Sequence, residues 1–345
     1  MSEVILEVDN LQVDFATHGG TVHAVRGVSY QVEAGKTLAV VGESGSGKSV
    51  TVQAIMGLIE TPPGRIVGGS AKLCGQELIG LSTAELNKLR GNKMAMIFQD
   101  PMTSLNPTTK VGVQIAESLR VHRGMGKQEA LQEAIRLLER THIPEAKQRA
   151  NQYPFEFSGG MLQRVMIAMS LACKPTLLIA DEPTTALDVT IQNQVLELMR
   201  EIQRDEGMAI VLITHDLGVV ARMADDVAVM YAGQIVESGS VDDVFYKPSH
   251  PYTVGLQRSM PAMEQSDDVP LMAIEGSPPD MFKPPAGCGY CARCPHAMSV
   301  CATDLPPVFS VAERHQSRCW LQHENAPDND YKSAQRDETA VEVAP

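Results

Sequence analysis

The sequence lacks any apolar stretch long enough to cross a bilayer. Its longest strongly apolar runs, residues 165–173 and 208–213, are half or less of the roughly 20 residues that a membrane-spanning helix needs, so no segment is expected to span a membrane. Positive charge is scarce as well: 29 Lys and Arg stand against 42 Asp and Glu, a formal net charge of -13. Counterion release by cations dominates binding to phosphate backbones, so nucleic acid is not an expected partner. A basic leader is missing, since the opening MSEVILEVDN carries acid where a secretory signal places lysine or arginine. The expectation is a chain in the reducing cytoplasm whose seven cysteines form no disulfides. Internal repeats are absent too.

What is present is an ordinary globular composition. With 345 residues, 43% of them hydrophobic, the chain can bury a sizeable core, and about 150 residues per domain suggests two lobes. Residues 4–15 and 21–33 alternate apolar with polar positions around His18, Gly19 and Gly20, which predicts two half-buried antiparallel strands joined by a turn. Residues 37–42 form a short apolar run that enters a glycine-rich loop, followed by a helical stretch over 48–59. Between 112 and 140 the period becomes helical, with Ile115, Leu119, Leu131, Ile135 and Leu138 spaced among charges. The apolar runs 176–180 and 209–213 lie between helical stretches, as buried parallel strands of an α/β sheet do. Proline then accumulates over 260–287, in linker fashion, ahead of a cysteine-rich stretch. Residues 323–345 are polar and charged, too poor in apolar residues to offset their ordering entropy, and are expected to be a disordered tail.

The segment 42–49, GESGSGKS, fits G-x4-G-K-[ST] in the strand–loop–helix setting the motif requires. Gly42, Gly45 and Gly47 let the backbone turn tightly, and the amides from Ser44 through Val50 point toward a bound phosphate, Ser46 among them. Lys48 is then placed to reach the β and γ phosphates and Ser49 to ligate Mg2+ of ATP. An apolar strand, Leu177, Leu178, Ile179 and Ala180, ends in Asp181, a second magnesium-holding position, and Glu182 follows as the candidate general base for the attacking water. Taken alone, Asp181 and Glu182 read as a solvated strand end before the turn at Pro183. Beside a phosphate loop the catalytic reading wins.

Residues 157–164, FSGGMLQR, resemble the signature LSGGQ of ABC ATPases and stand shortly before the strand that ends in Asp181, as they do in that family. Ser158, Gly159 and Gly160 open a helix and make an anion-binding nest. In the family this nest grips the γ phosphate held by an opposite subunit, so the resemblance implies a pair of chains. Met161 stands where the family often has glutamine. Other elements follow in family order: Gln99 in IFQD resembles the Q-loop, Asp188 in TALD the D-loop and His215 in ITHD the switch histidine. By resemblance Gln99 contacts the γ phosphate and its metal, His215 orients phosphate and water, and Asp188 serves communication between subunits. Phe15 matches the family's adenine-stacking aromatic, a plain core aromatic being the alternative. The resemblance implies an α/β P-loop fold with a RecA-like core, an antiparallel β subdomain and a helical subdomain over about 100–170, within an ATPase domain at 1–258.

The match is closest to the ATPase subunits of bacterial oligopeptide and dipeptide importers, carried by residues 97–107, 158–164, 180–189 and 247–253 (KPSHPYT). It implies a second, related ATPase as heterodimer partner, two membrane permease subunits, an extracytoplasmic peptide-binding protein, and a peripheral place on the cytoplasmic face of the cell inner membrane. Nickel and other solute importers share the subfamily. A soluble ABC ATPase acting on nucleic acid is the rival from another class, opposed by the acidic balance. Within the extension 259–322, Cys288, Cys291, Cys294, Cys301 and Cys319 cluster where little else can build a core, and clustered thiols in a reducing compartment suggest metal. An iron–sulfur cluster, zinc and free thiols are all open on spacing alone. By resemblance, Cys288, Cys294, Cys301 and Cys319 match a four-iron, four-sulfur (4Fe-4S) motif and Cys291 is extra. Cys74 and Cys173 are expected to pack in the core as small apolar residues.

Overall fold

The computed structural model describes residues 3–185, 187–259 and 274–327. In chain order the first six strands are Val4–Thr17 (β1), Gly20–Glu33 (β2), Thr37–Val41 (β3), Gly64–Leu73 (β4), Gln76–Glu77 (β5) and Met94–Ile97 (β6). The next six are Leu177–Asp181 (β7), Ala209–Ile213 (β8), Asp226–Tyr231 (β9), Gln234–Ser240 (β10), Phe309–Ser310 (β11) and Gln316–Ser317 (β12). Among the described residues they form two sheets, one ordered β2-β1-β4-β5 and one ordered β11-β12-β10-β9-β3-β8-β7-β6.

The first sheet follows from the alternating segments at the start of the chain. β1 and β2 pair antiparallel from Thr17 and Gly20 outward, and the Thr17 hydroxyl closes the turn by donating to the Gly20 carbonyl at 2.9 Å. In the second sheet, β3, β6, β7, β8 and β9 run parallel, and every residue of β3, β7 and β8 is buried. Strands covered on both faces read as continuous apolar runs, which is why these were legible in the sequence. A fully buried Leu or Ile on them contributes about 1.5–3 kcal/mol.

β6, only four residues long, was not anticipated. It joins the sheet because Ala95 and Ile97 pack on Leu162, Val165 and Met166 of the helix Gly159–Leu171. The helical layer differs in detail from the expected single block: Gly124, at φ 64°, ends Val111–Arg123, and a second helix runs Lys127–Arg140. The helix after the phosphate loop stops at Ile55, short of 59, because the chain turns at Gly57 with φ 65°.

The cysteine-rich stretch docks on the main sheet. Ile274, Met281, Cys288, Tyr290 and Cys294 pack with Val41, Val229, Tyr231 and Tyr252, and β12 pairs antiparallel with β10 through Glu237 and Ser317. Glu237 is buried, and its carboxylate accepts from the N–H groups of Ser249 at 2.6 Å and His250 at 2.9 Å and from Nε2 of His315 at 2.7 Å. Three donors compensate a charge that burial would otherwise penalise heavily. His323 meets the Phe309 ring edge-on and lies tilted against Trp320, while residues 328–345 of the expected tail and 260–273 of the Pro-rich stretch lie outside the described residues.

All seven cysteines are free. Cys173 is buried with its thiol toward the Ser118 carbonyl, as expected of a core residue. Cys74 is not: it is exposed at the β4–β5 turn, with φ 48°, because the turn needs that backbone more than the core needs the thiol.

Candidate active site

The phosphate loop leaves β3, a central strand flanked by β8 and β9. Two glycines are required by space. A Cβ at Gly42 would stand 2.1 Å from the Met230 carbonyl oxygen, and one at Gly47 would stand 2.6 Å from that of Ala24; both have positive φ. Gly45 also has positive φ, at 79°, and Ser44 and Val50 flank the turn and the first helical residues. Lys48 is 7% exposed, and its Nζ donates to the carbonyls of Gly42 at 2.8 Å and Glu43 at 3.0 Å. Burial lowers its pKa, against the pull of Glu182 and Asp181. The Ser46 hydroxyl is buried without a partner among the described residues, an orphan that phosphate oxygens would satisfy.

Asp181 ends β7, which β8 separates from β3, and its Oδ1 accepts from the Ser49 hydroxyl at 3.0 Å. Burial raises its pKa, partly opposed by that hydrogen bond. Ser49 and Asp181 together present hard oxygen donors, a set that fits Mg2+.

Glu182 is the convergence point. One carboxylate oxygen accepts from Gln99 Nε2 at 3.0 Å and from the Thr185 hydroxyl at 3.0 Å, and the other lies 3.2 Å from Nδ1 of His215. Residues from the ends of β6, β7 and β8 thus meet on one carboxylate. Glu182 has φ 47°, and its amide donates to the Ile213 carbonyl at 2.9 Å, so the backbone is pinned in a conformation unusual for a side-chain-bearing residue. His215 is 59% exposed on its side chain, open to solvent where a substrate would cover it. Thr185, the first residue of the TALD segment, carries no role of its own in the sequence reading, which gives the segment's role to Asp188.

The signature residues lie apart from this centre. Ser158 begins the helix Gly159–Leu171 and its hydroxyl makes no capping hydrogen bond, leaving the helix amides and the nest open. Ser158, Gly159, Gly160, Met161, Arg164 and Asp188 line one cleft of about 540 Å³, with Leu187 and Ile191. Asp188 caps the helix Val189–Glu206 by accepting from Thr190 and Ile191 amides at 3.1 and 3.0 Å. No phosphate-loop residue lines that cleft, so the structure brings the predicted residues together as two half-sites. Phe15 is half-buried on β1, packed against the core, and a Cβ at Gly64 would stand 3.0 Å from its ring.

The cysteines converge less tightly. Burial pushes the Cys288 thiol up to about 11 and Cys294 up to about 12, and raises Cys319 further, with Cys301 adding to each. Cys291 is raised mainly by burial, with Cys301 contributing. The donor set is right in kind for thiolate ligation, yet among the described residues no group of three or more His, Cys, Asp or Glu stands in an arrangement that could hold a metal ion.

Comparisons with known proteins accord with this geometry. Residues 25–185 match the family model for the ABC transporter, and residues 236–301 match that for the oligopeptide/dipeptide transporter C-terminal region. The chain is 55% identical to the oligopeptide transport ATP-binding protein OppD of Bacillus subtilis, over 94% of this chain and 90% of that protein. It is 51% identical to the dipeptide transport ATP-binding protein DppD of the same organism, over 94% and 96%, and 51% identical to OppD of Salmonella typhimurium, over 92% and 94%. Among solved structures, the ATP-binding cassette MJ0796, described as a dimer in a post-hydrolysis state bound to ADP and Pi, superposes with a TM-score of 0.62 at 26% identity, covering 68% of this chain and 98% of that one. The chain belongs to the ATP-hydrolysing ABC family, among the oligopeptide and dipeptide transport ATP-binding proteins.

Proposed function

We propose that this chain hydrolyses ATP to drive uptake of di- or oligopeptides through a multi-subunit importer at the cytoplasmic face of the inner membrane. The observation that carries the hydrolytic part is the convergence of Gln99, His215 and Thr185 on the Glu182 carboxylate, beside the Ser49–Asp181 pair. Glu182 would accept a proton from the attacking water, His215 and Gln99 would orient water and γ phosphate, and Lys48 would move from its loop carbonyls to the phosphates. Mg2+ held by Ser49, Asp181 and Gln99 would neutralise phosphate charge. Phe15 would stack on adenine.

The open nest at Ser158, Gly159 and Gly160, in a cleft that no phosphate-loop residue lines, supports pairing with a second, related ATPase whose nucleotide it would grip. Among the described residues no helix is long and apolar enough to cross a membrane, so the channel would come from two permease subunits, supplied by an extracytoplasmic peptide-binding protein. For the extension 259–322 we propose an accessory role, with a 4Fe-4S cluster on Cys288, Cys294, Cys301 and Cys319; the gathering of these thiols on one short stretch, where the Cys288 amide donates to the Cys301 carbonyl at 2.8 Å, supports it.

The direct test is purification of the tagged chain from detergent-solubilised membranes, followed by uptake of a labelled tripeptide into vesicles holding the recovered complex. Two copurifying permease subunits and ATP-dependent uptake are expected. Recovery of the chain without membrane subunits would remove the transport reading.

A further inference from the structure

One charge pair with a buried guanidinium joins the cysteine-rich extension to the phosphate loop. Arg293, which lies between Cys291 and Cys294, has a side chain only 6% exposed. One of its terminal nitrogens donates to the Glu43 carboxylate at 2.8 Å and to the Tyr231 hydroxyl at 3.1 Å. The rest of the guanidinium donates to the backbone carbonyls of Ile274 at 3.1 Å and Glu275 at 2.9 Å, so the fork is fixed from both sides. Glu43 is the second residue of the phosphate loop. Each of its polar groups is engaged: the carboxylate by Arg293, the amide by the Tyr252 hydroxyl at 2.8 Å, and the carbonyl by Lys48 at 3.0 Å.

The same stretch also supports the neighbouring hairpin. The His23 amide donates to the Met281 carbonyl at 3.0 Å, Arg26 donates to the Pro285 carbonyl at 3.2 Å, and the Phe282 ring lies against Gly19 and Gly20.

Two physical consequences follow for a loop that must cradle a triphosphate. Anchoring Glu43 holds the loop in the form that binds, so less ordering is left to occur on binding. Pairing Glu43 with a cation also cancels a negative charge that would otherwise stand on the loop beside the phosphates and repel them.

We propose that Arg293 is a positioning residue for the phosphate loop, acting through Glu43, so that the cysteine-rich extension sets the nucleotide affinity of the ATPase. The inference rests on reading residues 42–49 as the ATP phosphate site.

The test measures MgADP binding by calorimetry on the full-length chain. Arg293→Gln should weaken binding about tenfold, because the Glu43 charge is then left unpaired on the loop. Arg293→Lys, which keeps the charge but loses the fork, should fall between parent and Arg293→Gln. The deciding variant is the double, Glu43→Gln with Arg293→Gln: it should bind as Glu43→Gln alone does, and tighter than Arg293→Gln alone. A merely structural role for Arg293 would not produce that rescue. Arg293→Gln binding as the parent does, or a double variant weaker than Glu43→Gln, would overturn the proposal. If Arg293→Gln alone failed to fold, the comparison of Glu43→Gln with the double would still decide. A parent chain that bound no MgADP would instead remove the ATPase reading beneath it.

Discussion

The nucleotide site and the cysteine-rich extension are built by opposite means. At the nucleotide site each functional side chain stands at a strand end or helix start and already meets its neighbours: Ser49 with Asp181, and Gln99 and His215 with Glu182. Regular structure supplies the precision. In the extension, Cys288, Cys294 and Cys319 hang on loops, the last two beside three-residue 3-10 turns, and Cys301 sits on a five-residue helix, while burial drives Cys288 and Cys294 toward the protonated form at neutral pH. Such thiols become ligands only when a cation offsets the cost of deprotonating them, so binding there would release protons and tighten the segment. One site is arranged before its ligand arrives, and the other would be arranged by it.

Breaking the preorganised site should have the largest effect. Glu182→Gln keeps the shape of the side chain and removes its basicity, so steady-state hydrolysis should fall by about 10²–10⁴-fold. MgATP binding, measured separately on the same variant, should stay near that of the parent, since Lys48 and the loop amides are untouched. Hydrolysis close to the parent rate would take Glu182 out of its role as base.

The comparison is sharpened by changing the extension in the same way. Cys294→Ser or Cys319→Ser should abolish iron and acid-labile sulfide in anaerobically purified protein, together with a brown colour, whereas Cys291→Ser should retain them. ATP hydrolysis should change far less than in Glu182→Gln, because these thiols touch none of the reacting groups. Stoichiometric zinc without iron in the parent would reject the cluster.

The two regions also differed in how far the sequence could be read. GESGSGKS after a buried strand, and Asp181-Glu182 after LLIA, are local patterns in which spacing alone implies geometry. Gln99 and His215 were legible only through family resemblance, since their convergence on Glu182 joins residues 83 and 33 positions away. The docking of the extension was not legible at all. The Arg293–Glu43 pair spans 250 positions, and a lone arginine among cysteines carries no sign of a partner in the phosphate loop. The pairing of β12 with β10 is equally silent, because a two-residue strand has no periodicity to detect. Cys74 was misjudged for a related reason: composition suggested core, and only the turn geometry placed it outside.

The smallest effect lies at the seam where the two regions meet. His250 is buried, its ring 5.9 Å from that of Tyr290 in the extension, and its Nδ1 accepts from the Tyr252 amide at 3.0 Å. Burial lowers its pKa from 6.5 to about 3, and the charged group nearest its backbone, Glu237, is already engaged by three donors, including His315. The unfolded chain therefore takes up a proton near pH 6.5 that the folded chain refuses. The stabilising contribution is complete above that pH and is lost progressively as pH falls from 6.5 toward 3, by at most about 1.4 kcal/mol per pH unit. His250→Asn keeps an acceptor at the helix start and removes the titration. The thermal midpoint of the parent should fall more steeply between pH 7 and pH 5 than that of the variant. Parallel slopes would mean that the seam is not where acid first loosens the extension from the nucleotide site, and would separate the two regions energetically as well as in construction.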